Sequence, residues 1–171
     1  FGFALSNEVK NSKIVIADQA KDMASQQLIT KIEASKYFEI EKSVLNGSAM
    51  EAAFREGKVK AAVVFPENFN HDLLHESKAA IQVITDASDP NTATTLSNYL
   101  NTIISDYQTE LNENRSQPYR ISTETRMLYN PQLKGVHNFV PGVMALVLML
   151  VCVMMTAISI VKEKETGTME I

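Results

Sequence analysis

Apolar and polar positions follow one pattern over most of this chain and a different pattern near its end. Up to residue 138, short apolar or alternating runs are separated by turn residues and by amphipathic stretches, as in strands that alternate with helices. The strongest strand signal is the β-branched run that Pro66 stops. Five runs are predicted as strands, namely Lys13–Ala17, Tyr37–Glu41, Val59–Phe65, Ile81–Thr85 and Arg120–Met127.

Four stretches between these runs predict helices. Asp22 is the expected N-cap of the first helix, and Asp89 followed by Pro90 has the form of a cap with proline at the first helical position. Ser48 is the expected cap of the second helix, with Glu51 completing a capping box. The predicted helices are one with the apolar stripe Leu28, Ile29 and Ile32, one from Ser48 to a stop at Gly57, one from about Glu67 to Glu76, and one from Asp89 to Leu111.

Strands that alternate with helices indicate an α/β fold. We predict a mixed, mainly parallel five-stranded sheet with flanking helices and right-handed crossovers, followed by a C-terminal transmembrane helix. The second and fifth strands are short, so we expect them at the edges of the sheet, and the fifth need not run parallel to the others. The polar part of the chain has roughly 130 residues, which is enough for one hydrophobic core.

The second pattern is a run of 23 residues from Phe139 to Val161 without a charged side chain. A helix of this length can cross a bilayer core of about 30 Å. The apolar residues 1–5 are interpreted as the end of a preceding transmembrane helix, with a frayed N-terminus as the alternative. The predicted organisation is a helix end at 1–5, an α/β domain at 6–138, a transmembrane helix at 139–161 and a further segment at 162–171.

Composition argues against several classes of function. The formal net charge is −4 and the basic residues form no patch, so we expect no nucleic-acid partner. The sequence contains neither a phosphate-binding glycine loop nor a nucleophile beside a base, so we expect no ATP site, no cofactor and no covalent catalysis in this chain. The one cysteine, Cys152, lies inside the apolar run.

Two histidines are weak candidates for a metal site. His71 and His75 are four residues apart on a predicted helix, a spacing that places both imidazoles on one face, as in some zinc sites. Glu76 is the obvious third ligand. The alternative, which we favour, is a solvated helix face with Leu73 and Leu74 turned toward the core.

Asp86 and Asp89 form a second candidate constellation, since two nearby carboxylates can share a cation. The favoured alternative is structural. In it, Asp86 ends a strand and Asp89 caps the long helix that follows.

Four stretches of the chain resemble a known family. They are Phe1-Gly2-Phe3-Ala4-Leu5 through Val9-Lys10-Asn11, the segment Asp86–Ala93, Tyr129-Asn130-Pro131 followed by Val140-Pro141-Gly142, and Glu163-Lys164-Glu165 with Gly167-Thr168-Met169-Glu170. In this order they resemble permease subunits of ABC type-2 exporters, from the drug and antibiotic efflux branch with a large extracytoplasmic domain. The resemblance covers the whole chain and implies a fragment of a longer permease that has further membrane helices.

The resemblance implies roles for two segments. Pro141-Gly142 is a candidate gate hinge at the outer mouth, with an ordinary helix start as the favoured alternative. The charged segment after Val161 cannot lie in lipid, and in the family it leads to the element that contacts the ATPase. The candidate coupling residues are Glu163, Lys164, Glu165, Gly167, Thr168 and Glu170, and the alternative is a plain interfacial anchor.

The function predicted from the resemblance is that of a permease subunit in an ATP-driven exporter. The expected location is the bacterial plasma membrane, as a multi-pass protein with residues 6–138 outside the cytoplasm. The expected partners are an ABC ATP-binding subunit, a second permease copy or a homologue of it, the lipid bilayer and a periplasmic adaptor. The alternative is a membrane-tethered domain that senses or binds a small ligand.

Overall fold

All five predicted strands and all five predicted helices are present in the computed structural model, which describes residues 11–43, 47–113, 115 and 117–165. Most boundaries lie within three residues of the prediction. The strands are β1 Ser12–Asp18, β2 Phe38–Ser43, β3 Ala61–Phe65, β4 Lys78–Asp86 and β5 Arg120–Leu128. The helices are α1 Met23–Ala34, α2 Gly47–Arg55, α3 Phe69–His75, α4 Pro90–Asn112 and α5 Val136–Glu165.

Side-chain caps explain where two of the helices begin. Asp22 accepts a hydrogen bond from the Ser25 amide at 2.8 Å and so caps α1 as predicted. Asp89 caps α4, with Pro90 inside its first turn. The predicted capping box at α2 is wrong, because Gly47 and Ser48 already lie within that helix.

The sheet has the strand order β2-β1-β3-β4-β5, which confirms a mixed and mainly parallel sheet with β2 and β5 at its edges. The expectation that the fifth strand is short is wrong, because β5 has nine residues, as many as β4. β1 pairs in parallel with β2 and β3, and β4 pairs in parallel with β5. Among the described strands, the single antiparallel pairing joins β3 to β4 in the interior of the sheet, and not at the last strand. The connection there contains only the short helix α3, and an antiparallel neighbour does not need a long crossover.

Two apolar layers bury the two faces of the sheet. Alternate residues of β1 enter different layers, so Ile14 and Ile16 face α1, α3 and α4, while Val15 and Ala17 face α2. Because both faces of β1 are covered, its central residues 14–17 are all apolar and do not alternate with polar ones. The second face is left uncovered near β5, where Ala80 and Glu124 are exposed.

The chain divides into two compact units, Phe1–Leu133 and Lys134–Ile171. The second unit contains α5, whose segment Phe139–Glu165 is long and apolar enough to cross a membrane, with a mean hydropathy of 2.7. The helix therefore extends four residues beyond the predicted end of the apolar span at Val161.

Candidate functional site

The membrane helix α5 contains the two segments to which the sequence assigned functional roles. Pro141 is the sixth residue of this helix, so the favoured interpretation of an ordinary helix start is wrong. Proline in a helix interior removes the backbone hydrogen bond to the carbonyl four residues earlier. A Cβ atom added at Gly142 would meet no atom within 4 Å, so packing does not require glycine there. Near its start, α5 therefore lacks the backbone hydrogen bond that the Pro141 nitrogen cannot donate.

The charged end of α5 continues the helix without a break. Lys162, Glu163, Lys164 and Glu165 form its last turn and are all exposed. Lysine side chains in a last turn interact favourably with the partial negative charge of the helix C-terminus. The other candidate coupling residues, Gly167, Thr168 and Glu170, lie outside the described residues.

His71 and His75 lie together on the exposed side of α3. Their ring centroids are 4.5 Å apart, and Nδ1 of His71 lies 3.5 Å from a carboxylate oxygen of Asp72. Among the described residues, no group of three or more His, Cys, Asp or Glu side chains could hold a metal ion. The expectation for the neighbouring leucines is half right, because Leu73 is buried whereas Leu74 is 50% exposed.

Asp86 and Asp89 occupy the structural positions that the favoured alternative assigned to them. Asp86 ends β4, is only 7% exposed, and accepts hydrogen bonds from the Ser88 amide at 3.0 Å and the Lys60 ammonium at 3.1 Å. Burial alone would raise its pKa, but the hydrogen bonds from Ser88 and Lys60 outweigh burial and hold the pKa below the ordinary value. Asp89 accepts from the amide and the hydroxyl of Thr92.

A second buried carboxylate was not predicted by sequence reasoning. Asp18 ends β1 and accepts hydrogen bonds from the Lys21 amide, the Ser25 hydroxyl and the Gln26 side-chain amide at 2.9 to 3.1 Å. An acidic residue at the end of a buried strand was the available signal, but two of its partners, Ser25 and Gln26, come from the next helix. The carboxylate is therefore a structural junction between β1 and α1.

A groove between α1 and α4 was also missed. Tyr37 and Tyr99 stack there with ring centroids 4.5 Å apart, and Tyr37 is 41% exposed. The groove has a volume of about 560 Å³, which is in the range of small-molecule sites, although it is open to solvent. Its lining includes Lys31 and Asp106, so it offers aromatic surface and both signs of charge.

Comparison with known proteins decides the family. The sequence profile described as "ABC-2 family transporter protein" matches residues 1–171, which is the whole chain. The chain belongs to the ABC-2 transporter family.

Bacterial permeases are the curated relatives of this ABC-2 chain. The chain is 28% identical over 170 residues to YbhR of Escherichia coli K12, named a probable multidrug ABC transporter permease, with 99% of this chain and 46% of the relative covered. It is 27% identical to YbhS, with the same name and coverage, and 30% identical over 165 residues to the inner membrane transport permease YhhJ, with 92% and 42% covered. The ABC-2 chain thus spans a little under half of these relatives.

A solved structure supports the fold of the ABC-2 chain. A crystal structure of a domain assigned to an ABC type-2 transporter from Thermotoga maritima matches with a TM-score of 0.53 and 17% identity. The match covers 68% of this chain and 86% of that domain. At this identity the likeness concerns the α/β fold alone.

Proposed function

We propose that this chain supplies the extracytoplasmic α/β domain and one membrane-spanning helix of an ATP-driven export permease. The observation that carries the proposal is the ABC-2 family match over all 171 residues, together with the one apolar helix of membrane-spanning length among the described residues and a compact α/β unit. The names of the relatives point to drug-like cargo, and the remaining membrane helices would come from parts of a longer protein.

The proposed topology places the α/β domain outside the cytoplasm of a bacterial plasma membrane and the charged end of α5 inside it. Cysteine labelling in intact cells tests this topology, in a Cys152→Ser background. Lys58 is exposed in the domain and Lys164 is exposed in the last turn of α5, so each accepts a cysteine without loss of packing. A membrane-impermeant maleimide should label Lys58→Cys in intact cells and Lys164→Cys only after permeabilisation. The reverse pattern would overturn the proposed orientation.

The proposed mechanism is alternating access driven by a separate ATP-binding subunit, with a second permease copy in the membrane and a periplasmic adaptor as a further partner. The permease itself performs no covalent chemistry and needs no cofactor. Purification of the full-length protein in mild detergent tests this assignment by mass spectrometry of what is retained. A stoichiometric ABC ATP-binding subunit with ATPase activity is the expected result. Its absence, under conditions that preserve other transporters of this kind, would contradict the proposal.

We assign the coupling between ATPase and membrane helices to the charged segment that begins at Lys162, with Glu163, Lys164 and Glu165 in the last turn of α5 and Gly167, Thr168 and Glu170 beyond it. The double substitution Glu163→Gln with Glu165→Gln keeps side-chain size and removes two charges. We expect it to uncouple ATP hydrolysis from transport while the complex still assembles. The matched control is Glu113→Gln, an exposed glutamate at the end of α4. Normal coupling in the double variant would favour a simple interfacial anchor.

Pro141-Gly142 is proposed as the hinge of the outer gate. Pro141→Ala restores a backbone hydrogen-bond donor and should stiffen α5, so we expect slower transport at unchanged complex assembly. Unchanged transport in this variant would leave the pair without a gating role.

A binding role for the domain is the second candidate, and the groove at Tyr37 and Tyr99 is the observation in its favour. The exposed tyrosine faces would attract a flat or cationic ligand. Tyr37→Ala should abolish saturable binding of a fluorescent cationic dye to the full chain. Tyr129→Ala, which changes a 60% exposed tyrosine outside the groove, is the matched control. Equal dye binding by both variants would exclude the groove as a ligand site.

A further inference from the structure

The outer edge of β5 presents backbone groups that are free to pair with another strand. Among the strands that the structure describes, β4 is the only neighbour of β5. The Arg120 amide donates to Ser77 and the Leu128 carbonyl accepts from Ala87, so the even-numbered residues of β5 direct their backbone groups toward β4. In a regular strand the odd-numbered residues then direct N–H and C=O groups outward.

Side chains of α4 cover only the beginning of this outer edge. Gln108 accepts a hydrogen bond from the Ile121 amide at 2.8 Å, and the Asn112 side chain both donates to and accepts from the backbone of Tyr119. Beyond Ile121, no described residue bonds the outward backbone groups of Thr123, Thr125 or Met127. The open part of the edge is therefore three outward-facing residues long.

The opposite edge of the sheet is protected against pairing. The register of β2 with β1 slips between Ile14 and Val15, which marks a β-bulge. Bulges are one of the means by which natural sheets block their edges. β5 has no such irregularity, since its nine-residue register with β4 is unbroken.

We infer that two copies of this chain pair through β5 as antiparallel strands, with Thr125 facing Thr125. In this register Glu124 of each copy lies opposite Arg126 of the other. These are non-hydrogen-bonded pairs, whose Cα atoms lie about 4.5 Å apart, and opposite charges at such pairs stabilise a sheet. Thr123 then lies opposite Met127 of the other copy, so each residue of the open edge has a cross-strand partner. Each opposed pair with outward backbone groups would exchange two N–H···O=C bonds.

The charges select this register over its neighbours. A shift that centres the pair on Glu124 or on Arg126 brings like charges face to face. Centring it on Thr123 places Arg126 opposite Arg120, which is again repulsive. Among these registers, only the one centred on Thr125 gives two opposite-charge pairs. This pairing would give the proposed permease dimer a contact in the α/β domain, but it rests on the geometry of β5 and not on transport.

Disulfide cross-linking of the full chain in lipid vesicles tests the register, in a Cys152→Ser background. In the inferred pairing two Thr125 Cα atoms lie about 5.5 Å apart, within disulfide range, so Thr125→Cys should cross-link under mild oxidation. Thr123→Cys is the matched control on the same face of the same strand. The Cα atoms of its two copies would lie roughly 15 Å apart, so this variant should stay monomeric. Equal cross-linking at both positions, or none at Thr125→Cys, would overturn the inference.

Charge reversal provides a second test that does not depend on disulfide geometry. Glu124→Arg and Arg126→Glu should each weaken self-association of the full chain by about tenfold or more, because both cross-strand pairs become repulsive. A mixture of the two variants should associate again, since each supplies the charge that the other lost. If the single variants dimerise like the unmodified chain, or if the mixture fails to recover, copies of this chain do not pair through β5. Both readouts measure pairing, so they do not depend on whether the permease assignment holds.

Discussion

The junction of Lys60 and Asp86 gives the sharpest prediction for the stability of the α/β domain. The two residues are joined twice, because the Asp86 amide donates to the Lys60 carbonyl at 2.9 Å and the Lys60 ammonium donates to the Asp86 carboxylate at 3.1 Å. Asp86→Asn keeps the backbone bond and the side-chain shape, and leaves an oxygen to accept from Ser88. It removes only the charge that faces Lys60.

The magnitude follows from the exposure of the two partners. A hydrogen bond to a charged group contributes about 1.5–3 kcal/mol, and the buried carboxylate favours the upper part of that range. The Lys60 side chain is 46% exposed, so water screens the pair and can solvate the released ammonium. We therefore expect Asp86→Asn to lower the free energy of unfolding by about 1–2 kcal/mol, or the Tm by roughly 3–8 °C for a domain of this size.

The pH dependence has a definite sign. The pKa of Asp86 is lowered in the folded protein, so its ionised form stabilises the fold at every pH above the unfolded pKa of about 3.9. This contribution is lost as the pH falls through the folded pKa, which lies lower still. The difference between the unmodified chain and Asp86→Asn should be constant between about pH 5 and 7 and shrink below about pH 4.

Tyrosine circular dichroism gives an assay that reports on the domain alone. The chain has no tryptophan, and its five tyrosines all lie between Tyr37 and Tyr129, outside the membrane helix. Asp106→Asn, at an exposed site on α4, is the matched control and should leave unfolding unchanged. Two results would refute the reasoning. One is a Tm of Asp86→Asn at pH 7 equal to that of the unmodified chain. The other is a stability difference between the two proteins that is as large at pH 3 as at pH 7.

Three further predictions concern other parts of the domain. Asp22→Ala should cost about 2 kcal/mol by denaturant unfolding, because Asp22 caps α1 and also accepts from the Asn70 amide at 2.7 Å, while Asp22→Asn should recover most of that loss. Burial, reinforced by nearby Asp22, raises the pKa of Tyr107, so the free energy of unfolding should fall as the pH rises above about 10. Tyr107→Phe should remove this pH dependence and lower the free energy of unfolding by about 1 kcal/mol at neutral pH. Calorimetric titration with zinc should show no binding at micromolar metal, since His71 and His75 have no third ligand among the described residues; binding that His75→Ala abolishes would restore the metal hypothesis.

Local patterns were sufficient for the elements and for the membrane span. The apolar run after Phe139 is a helix with the length and hydropathy of a membrane span, and the caps at Asp22 and Asp89 are where sequence spacing placed them. These features depend on residues a few positions apart, whose geometry is fixed by the helical or extended backbone itself. The family also followed from short motifs in a fixed order.

Only the tertiary structure decided how the strands run and which distant residues meet. The apolar pattern alone does not show that β4 reverses against β3, because both directions bury the same apolar faces. The bonds of Asp86 to Lys60 and of Asp22 to the Asn70 amide join residues 26 and 48 positions apart, so they exist only once the sheet order sets the path of the chain. The same holds for the groove and for the open edge of β5. Tyr37 stacks on Tyr99 only because the fold brings these distant residues together, and β5 is an edge strand only because the sheet order places β4 on one side of it.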